Sequence, residues 1–379
     1  MAIDNKDKKV LNVPHLRFPE FSGEWDSERL ENLTVSIGDG LHSTPVYCEQ
    51  GDYCFINGNN IIDGKVSINE KTLRVTKEEA YKYNAALLKV DTILMSINGT
   101  IGNVALYNGE NIMLGKSACY INPSSRIVRE YLFHILSSPR IQAYFQGEVT
   151  GTTIKNLSLR TIRGSKILLP SNEEQKKIAR LFSLVDERIA TQNKIIEKLE
   201  SLIKGIAQNV ARNNKPNIRL SECLEYSSST LQESDVCENG TYPVYGANGI
   251  VGYIDNYNTE KEAVYIIKDG SGVGTVSYVT GKCSATGTLN TLQAKEGYSL
   301  QYLYYMLKVF NFEPYKTGMA IPHIYFKDYG KAKIFCPSYT EQLKYVELLS
   351  AIDNKLSAEQ SILTDLSLQK QYLLSQMFI

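Results

Sequence analysis

The sequence predicts an α+β protein with two strand-rich globular domains, separated by two long helices that pack as an antiparallel coiled coil. An internal repeat carries this prediction: the segment PSNEEQKKIARLFSLVDERI that begins at Pro170 returns as PSYTEQLKYVELLSAIDNKL at Pro337, 167 residues later and without a gap. Both copies have an apolar heptad pattern, and the segments before them are rich in short β-type stretches. A repeat of this length indicates two copies of a whole domain and its helix, related by an internal pseudo-two-fold.

Five segments are predicted in chain order. They are an N-terminal arm over residues 1–20, a first globular domain over 21–170, a helix over 171–212, a second globular domain over 213–337 and a C-terminal helix over 338–379.

Strand and helix signals occur in the same order in both globular domains. Short β-branched or aromatic stretches bounded by Gly, Asn and Asp predict strands, and apolar periodicity predicts one helix before each repeat. The predicted strands are 92–97 and 103–107 in the first domain and 263–268 and 275–279 in the second, and the predicted helices are 129–137 and 299–308.

The two long helices keep apolar residues at heptad positions for more than four heptads, which is a strong coiled-coil signal. Because the first helix leads the chain into the second domain and the second helix leads it out, the short route is an antiparallel return. The residues expected to pair are Ile178, Phe182, Val185, Ile189, Gln192, Ile196, Leu199 and Ile203 in the first helix, and Tyr345, Leu349, Ile352, Leu356, Glu359, Leu363, Leu366 and Leu373 in the second.

Both helices begin and are interrupted in the same way. Each starts with Pro-Ser followed by Glu-Gln, which resembles a capping box with Ser171 and Ser338 as caps. A polar residue interrupts each seam, Gln192 in the first helix and Glu359 in the second. These two residues either fix the register of the pair or reach solvent at a loosely packed layer.

The composition is that of an ordinary globular chain of two or three domains, with 379 residues, 43% hydrophobic and 22% charged. No apolar stretch is long enough for a membrane span, and we expect no secretory signal. Seven cysteines without a CxxC pair favour reduced thiols and a cytoplasmic protein. The 41 basic and 41 acidic residues cancel, which argues against binding nucleic acid by bulk positive charge alone.

Motifs for catalysis and metal binding do not stand out in the sequence. The run DGSGVG at 269–274 is followed by a strand, which is typical of a hairpin rather than of a phosphate-binding turn. The four histidines lie far apart and have no Cys or His at ligand spacing. The chain is therefore predicted to be non-catalytic and to hold no metal.

Polar and basic loop residues are the candidates for DNA contact, because such side chains can reach base edges or phosphates. Glycines in the loops at 37–44 and 242–252 would allow a close approach of the backbone to a ligand. Taken singly, each residue also suits an ordinary turn. The candidates are Asp39, His42, Ser43, Lys65, Asn98, Thr152 and Lys155 in the first domain, and Tyr245, Asn248, Lys268, Ser271, Lys316 and His323 in the second.

Three parts of the chain resemble the specificity subunit of type I restriction–modification systems. Residues 16–33 (LRFPEFSGEWDSERLENL) are similar to the N-terminal opening of that family. Residues 151–157 (GTTIKNL) with the helix after Pro170 resemble the end of the first target-recognition domain and the central conserved helix. Residues 242–252 with the helix after Pro337 resemble the second domain and the C-terminal conserved helix.

The resemblance implies that each target-recognition domain reads one half of a split, asymmetric DNA site, while the helices set the spacing. It implies two modification subunits that methylate adenine and two restriction subunits that cut DNA, in phage defence. S-adenosylmethionine, ATP and Mg would belong to those partners, and this chain would bind no cofactor. Phosphate contacts supplied by the modification subunits would account for the zero net charge.

Two other functions stay open. One is the DNA-binding part of another restriction or methylation system, which would need a catalytic domain in the same polypeptide. The other is a coiled-coil interaction scaffold without a nucleic-acid role, which the zero net charge favours slightly.

Overall fold

The computed structural model describes residues 12–83, 85–151, 155–318 and 320–379 and divides into two compact units. The first unit extends to Thr191 and also includes Leu363–Ile379, while the second is Gln192–Ile362. Both boundaries fall within long helices, so each unit combines one strand-rich domain with parts of both helices.

The first unit is built from short strands and helices. Its strands are β1 Asp26–Arg29, β2 Thr34–Asp39, β3 Tyr53–Ile56, β4 Ile61–Ile62, β5 Lys65–Val66, β6 Arg74–Val75, β7 Ile93–Ser96, β8 Val104–Leu106, β9 Ile112–Leu114, β10 Ala118–Pro123 and β11 Lys166–Leu169. Its helices are α1 Lys77–Lys82, α2 Arg129–Leu136, α3 Pro139–Gly147 and α4 Leu159–Gly164.

The first long helix, α5 Asn172–Asn213, leads into the second unit. The strands there are β12 Ile218–Arg219, β13 Leu224–Ser228, β14 Tyr242–Gly246, β15 Gly249–Ile254, β16 Glu262–Ile267, β17 Val276–Thr280, β18 Ser284–Ala285, β19 Leu289–Ala294 and β20 Lys333–Ile334. The helices are α6 Leu220–Cys223, α7 Leu300–Lys308, α8 Phe326–Tyr329 and the second long helix, α9 Tyr339–Met377. The strands predicted near β7, β8, β16 and β17 and the helices predicted near α2 and α7 are confirmed.

The two units share one sheet topology. The first has an antiparallel sheet in the order β2-β10-β7-β8, and the second has the matching order β13-β19-β16-β17. A second sheet contains one parallel pair in each unit, β3 with β9 and β14 with β18. Strands β7 and β16 are nearly continuous apolar runs because they are buried within their sheets. The repeat in the helices therefore extends to domains whose sequences differ.

The core of the first unit includes side chains from α9. Leu374, Met377 and Phe378 are buried in the same cluster as Tyr131 and Phe182. Phe378 stacks on Phe182 with ring centroids 5.5 Å apart. The strand-rich domain of the first unit thus packs on the last turns of the second long helix.

The long helices begin with complementary halves of a capping box. The Ser171 hydroxyl accepts a hydrogen bond from the Glu174 backbone N–H at 3.3 Å. At the second helix, the Glu341 carboxylate accepts the backbone N–H of Ser338 at 3.2 Å and its hydroxyl at 2.7 Å. These hydrogen bonds lower the pKa of Glu341, the hydroxyl contributing most. Within the described residues, no helix is both long and apolar enough to cross a membrane.

Candidate nucleic-acid interface

One cleft of about 430 Å³ in the first unit gathers three of the predicted residues, Asp39, His42 and Asn98. Asp39 ends β2, and its Oδ2 lies 2.6 Å from Nε2 of His42. The cleft is also lined by polar residues that the sequence patterns did not single out: Lys116, Asn156 and Ser158. Together these residues offer a carboxylate, two amides and an ammonium, which are groups that can hydrogen-bond base edges.

Two loops are joined by backbone hydrogen bonds to form one wall of this cleft. The Leu157 N–H donates to the Ile97 carbonyl at 2.8 Å, and the Gly99 N–H donates to the Lys155 carbonyl at 3.1 Å. The side-chain amide of Asn98 donates to the Lys116 carbonyl at 3.1 Å. The wall is therefore held by main-chain hydrogen bonds between the loops and by one side-chain contact, that of Asn98.

Gly40 follows directly after Asp39, the last residue of β2. A Cβ atom at Gly40 would lie 2.2 Å from the carbonyl oxygen of Leu114, so no other residue fits there without moving β9. The space beside Gly40 is thus taken by the backbone of Leu114.

The other candidates of the first unit lie outside the lining of this cleft. Ser43 is exposed just beyond His42, and Lys65 is exposed on the β4–β5 hairpin. Lys155 is exposed in the loop that reaches Gly99. Thr152 lies outside the described residues.

The second unit places Lys268 and His323 beside the same kind of loop. His323 exchanges two backbone hydrogen bonds with Thr317, at 2.9 and 2.8 Å, and forms a β-bridge with Asp269. The Ile324 N–H donates to the Lys268 carbonyl at 2.9 Å. Among the remaining candidates, Ser271 is exposed in the turn after Asp269, and Lys316 forms an ion pair with Glu313.

The registers of the two sheets show which side chains are equivalent. Asp39 lies opposite Cys119 on β10, and Ser228 lies opposite Asn290 at the matching place on β19. The Nζ of Lys268 donates to the Ser228 hydroxyl at 2.8 Å.

The loop contacts extend the same correspondence. Asn98 forms a β-bridge with Asn156 in the first unit, as Asp269 does with His323 in the second. In the first unit the Ile97 carbonyl accepts a hydrogen bond from the loop N–H of Leu157. In the second unit the Lys268 carbonyl accepts the equivalent hydrogen bond from the N–H of Ile324. One backbone frame therefore carries different side chains in the two units.

Tyr245 and Asn248 have different surroundings. The Tyr245 ring packs on Tyr265 with centroids 5.7 Å apart, and burial is the main cause that raises its pKa. Asn248 is exposed in the tight turn between β14 and β15. Tyr245 thus lies at the edge of the core, while Asn248 is open to solvent.

The heptad residues predicted to pair are all buried or half-buried in the helices. Gln192 and Glu359, equivalent positions of the repeat, contact each other: Gln192 Nε2 donates to the Glu359 backbone carbonyl at 2.9 Å and to its carboxylate. Lys355 also pairs with this carboxylate, and these two partners, Lys355 first, lower the pKa of Glu359. Both residues are buried, so the interpretation that they reach solvent is wrong, while a role in fixing the register stays a prediction.

Contacts within the first unit fix the relative direction of the helices there. Asp186 on α5 forms an ion pair with Lys370 on α9 at 2.5 Å, and Phe182, one turn earlier, stacks on Phe378. Residue numbers fall along one helix as they rise along the other, so the helices run antiparallel in this unit.

Among the described residues, no three His, Cys, Asp or Glu side chains come together in a way that could hold a metal ion. All seven cysteines are unpaired thiols. The features of the two units that suit binding of a nucleic acid are the polar cleft of the first unit and the polar loop around Lys268 and His323 in the second.

The fold and these surfaces define a class of protein: a chain with two copies of one domain, each followed by a long helix, whose shared frame carries different polar groups. A family model described as the type I restriction modification DNA specificity domain matches residues 23–201 and 214–367. The chain belongs to this family, and its role is DNA sequence specificity in a type I restriction–modification system.

Curated relatives and solved structures agree with this assignment. A putative type I specificity subunit of Mycoplasma genitalium is 26% identical over 316 residues, which cover 76% of this chain and 81% of the relative. The EcoBI specificity subunit of Escherichia coli is 27% identical over 159 residues, covering 40% of this chain and 33% of the relative.

Two solved structures share the fold. The crystal structure of a type I restriction–modification S subunit from M. genitalium has a TM-score of 0.64 at 20% identity, covering 97% of this chain and 99% of that chain. A structure concerned with complex assembly and conformational transition of the type I system has a TM-score of 0.53 at 16% identity, covering 93% of this chain and 97% of that chain. The predicted α+β fold with two repeated domains is confirmed.

Proposed function

We propose that each unit reads one half of a bipartite, asymmetric DNA site and that the long helices set the distance between the halves. The observation that carries this proposal is the shared frame with different side chains. Asp39 occupies one strand end where Ser228 and Lys268 meet in the other unit. Equivalent frames would dock on DNA in the same way, whereas different side chains would select different bases.

The chain would act as a non-catalytic subunit that recruits two modification subunits, and two restriction subunits would join to cut DNA in phage defence. Exposed apolar residues at equivalent helix positions support two similar docking faces: Ile195 is 37% exposed and Ile362, which follows it by 167 positions, is 40% exposed. Because the two isoleucines are equivalent in the repeat and both open to solvent, the two helices would offer similar apolar contacts to two partner subunits.

S-adenosylmethionine, ATP and Mg would act in the partner subunits, and the complex would work in the cytoplasm. The zero net charge of this chain would be compensated by modification subunits that close around the duplex and supply most phosphate contacts. The specificity chain would then contribute base contacts more than bulk charge.

The test is to express this chain with its modification subunit in a host that lacks both, and to map methylated adenines over the whole genome. We expect one bipartite motif that appears only when the chain is present. Replacing Asn98 with Ala should alter base preference in one half of that motif and leave the other half unchanged, because each unit would recognise its half-site independently of the other. Absence of any chain-dependent motif, or a change in both halves, would contradict the proposal.

A further inference from the structure

The joint between the first recognition domain and α5 is tied by two buried side chains. Gln175, in the first turns of α5, accepts the Val128 backbone N–H through Oε1 at 2.9 Å and donates through Nε2 to the Pro170 carbonyl at 3.0 Å. The Tyr131 hydroxyl donates to the Leu168 carbonyl at 2.6 Å. The start of α2, the last strand β11 and the long helix are thereby joined.

The second unit repeats this joint with the same two residue types. Gln342 accepts the Ser299 backbone N–H at 2.8 Å and donates to the Pro337 carbonyl at 2.9 Å. The Tyr302 hydroxyl donates to the Phe335 carbonyl at 2.9 Å. Each of these contacts corresponds to one in the first unit, although the two domains differ widely in sequence.

In both joints the glutamine and tyrosine side chains bond only to main-chain atoms. The same hydrogen bonds can therefore form whatever side chain the partner residue carries. Val128 and Ser299 are equivalent, as are Leu168 and Phe335, and only their backbone groups take part. Neighbouring contacts are not shared: Glu174 pairs with Arg17 in the first unit, whereas its equivalent Glu341 binds Ser338. What the joints share is the glutamine, the tyrosine and the proline.

The glutamines have little freedom. Gln175 is 2% exposed and Gln342 is 1% exposed, and both ends of each amide are hydrogen-bonded. Val128 and Ser299 are the N-cap residues of α2 and α7, so each amide satisfies a backbone N–H at a half-buried helix start. Removing the amide would leave that N–H without its partner, which favours a rearranged joint.

We propose that Gln175 and Gln342 are positioning residues that fix each recognition domain to the helix that follows it, and so restrict methylation to a single spacing of the half-sites. A helix sets a distance only if its angle to the domain at its end is fixed. This inference rests on the proposed function and extends it from the helices to their joints.

The experiment uses the complete complex with its modification subunit, S-adenosylmethionine and a DNA library. The library carries the two half-sites mapped for the wild-type chain, separated by the native spacer or by spacers one or two base pairs longer or shorter. In Gln342→Ala and Gln175→Ala, we expect the preference for the native spacer over its neighbours to fall by about tenfold, equivalent to about 1.4 kcal/mol. The sequence of each half-site should not change.

Two controls separate positioning from stability. Gln369→Ala removes an exposed amide from the same helix as Gln342 and should keep the native preference. Ile266→Val trims a fully buried strand residue of the second unit and lowers thermal stability without touching the joint. If Gln342→Ala does not assemble, Tyr302→Phe, which deletes one hydroxyl of the same joint, carries the test.

The outcomes are distinct. Glutamine variants that lose thermal stability as Ile266→Val does, yet keep the wild-type spacer preference, would overturn the positioning role and leave the proposed function intact. A wild-type chain that directs methylation to no bipartite site would overturn the proposed function, and this inference with it.

Discussion

The two recognition domains share a backbone frame and differ in the charge that the frame presents. In the first, the end of β2 carries the Asp39 carboxylate beside His42. In the second, the equivalent strand end carries Ser228, with the Lys268 ammonium bound to its hydroxyl. Since main-chain hydrogen bonds hold the loops in both units, the groups proposed to contact DNA can differ in charge on the same frame.

The domains also differ beneath the frame. His134 on α2 and Tyr305 on α7 are equivalent, 171 positions apart. His134 stacks against Phe182 with ring centroids 5.0 Å apart, in the cluster that includes Phe378. Tyr305 instead donates a hydrogen bond to Asp353 at 3.3 Å. The first domain thus depends on an apolar core that the distant residue Phe378 completes, whereas Tyr305 of the second makes a polar contact with the helix that follows its own domain.

The largest expected effect comes from breaking that apolar contact. Phe378 is 2% exposed and stacks on Phe182, so Phe378→Ala should destabilise the first unit by about 3–5 kcal/mol. Chemical denaturation should show the first unit unfolding at lower denaturant than the second. Tyr372→Ala, at a residue 62% exposed on the same helix, should leave the curve unchanged. A Phe378→Ala curve that matches wild type would refute the dependence.

The second-largest expected effect is a loss of stability of the first unit, but not of the second, at acidic pH. Burial, followed by the charge of Lys370, lowers the pKa of His134 to about 3 from its ordinary value of 6.5. Below about pH 6.5, His134 is protonated in the unfolded chain but stays neutral in the folded first unit. The free energy of unfolding therefore falls as the pH drops below about 6.5. Between pH 7 and pH 5 the loss should be about 2 kcal/mol.

The measurement is the free energy of unfolding at both pH values in wild type and in His134→Phe, which has no group to titrate. The variant should lose about 2 kcal/mol less on acidification, since other titrating groups cancel in the difference. Burial raises the pKa of the equivalent Tyr305, so the second unit should show no matching term. Equal losses in wild type and variant would show that His134 does not set the difference.

The smallest expected effect is on the DNA affinity of the complex and comes from the Lys268 ammonium of the second unit. If Lys268 contacts a phosphate, Lys268→Ala should weaken DNA binding of the complex evenly across sequences and reduce the salt slope by about one. Binding measured at several salt concentrations checks this, with Lys198→Ala on the exposed face of α5 as the matched control. A changed base preference with an unchanged slope would instead make Lys268 a base contact.

The parts of the fold set by short-range patterns could be predicted from the sequence, and the long-range contacts could not. The helices are predictable because their heptads repeat at a fixed offset, and Gln192 and Glu359, which contact each other, are equivalent positions of that repeat. No local pattern indicates that Phe378 completes the core of the first unit. Packing between distant segments depends on the whole fold.

The candidate interface is predictable in part for the same reason. Asp39, His42 and Asn98 meet because loops that end adjacent strands lie side by side. Lys116 has no distinguishing pattern in the sequence, whereas its position beside β10 brings it to the cleft. Tyr245 packs on the core because an amphipathic ring suits either place.

The contact between Phe182 and Phe378 also bears on the order of folding. These residues are 196 positions apart, and closing an unfolded loop of that length costs about 5 kcal/mol of chain entropy. A folded second unit shortens the effective loop, because its two ends emerge along paired helices. We therefore expect the domain synthesised first to complete its core last, after the later domain has folded.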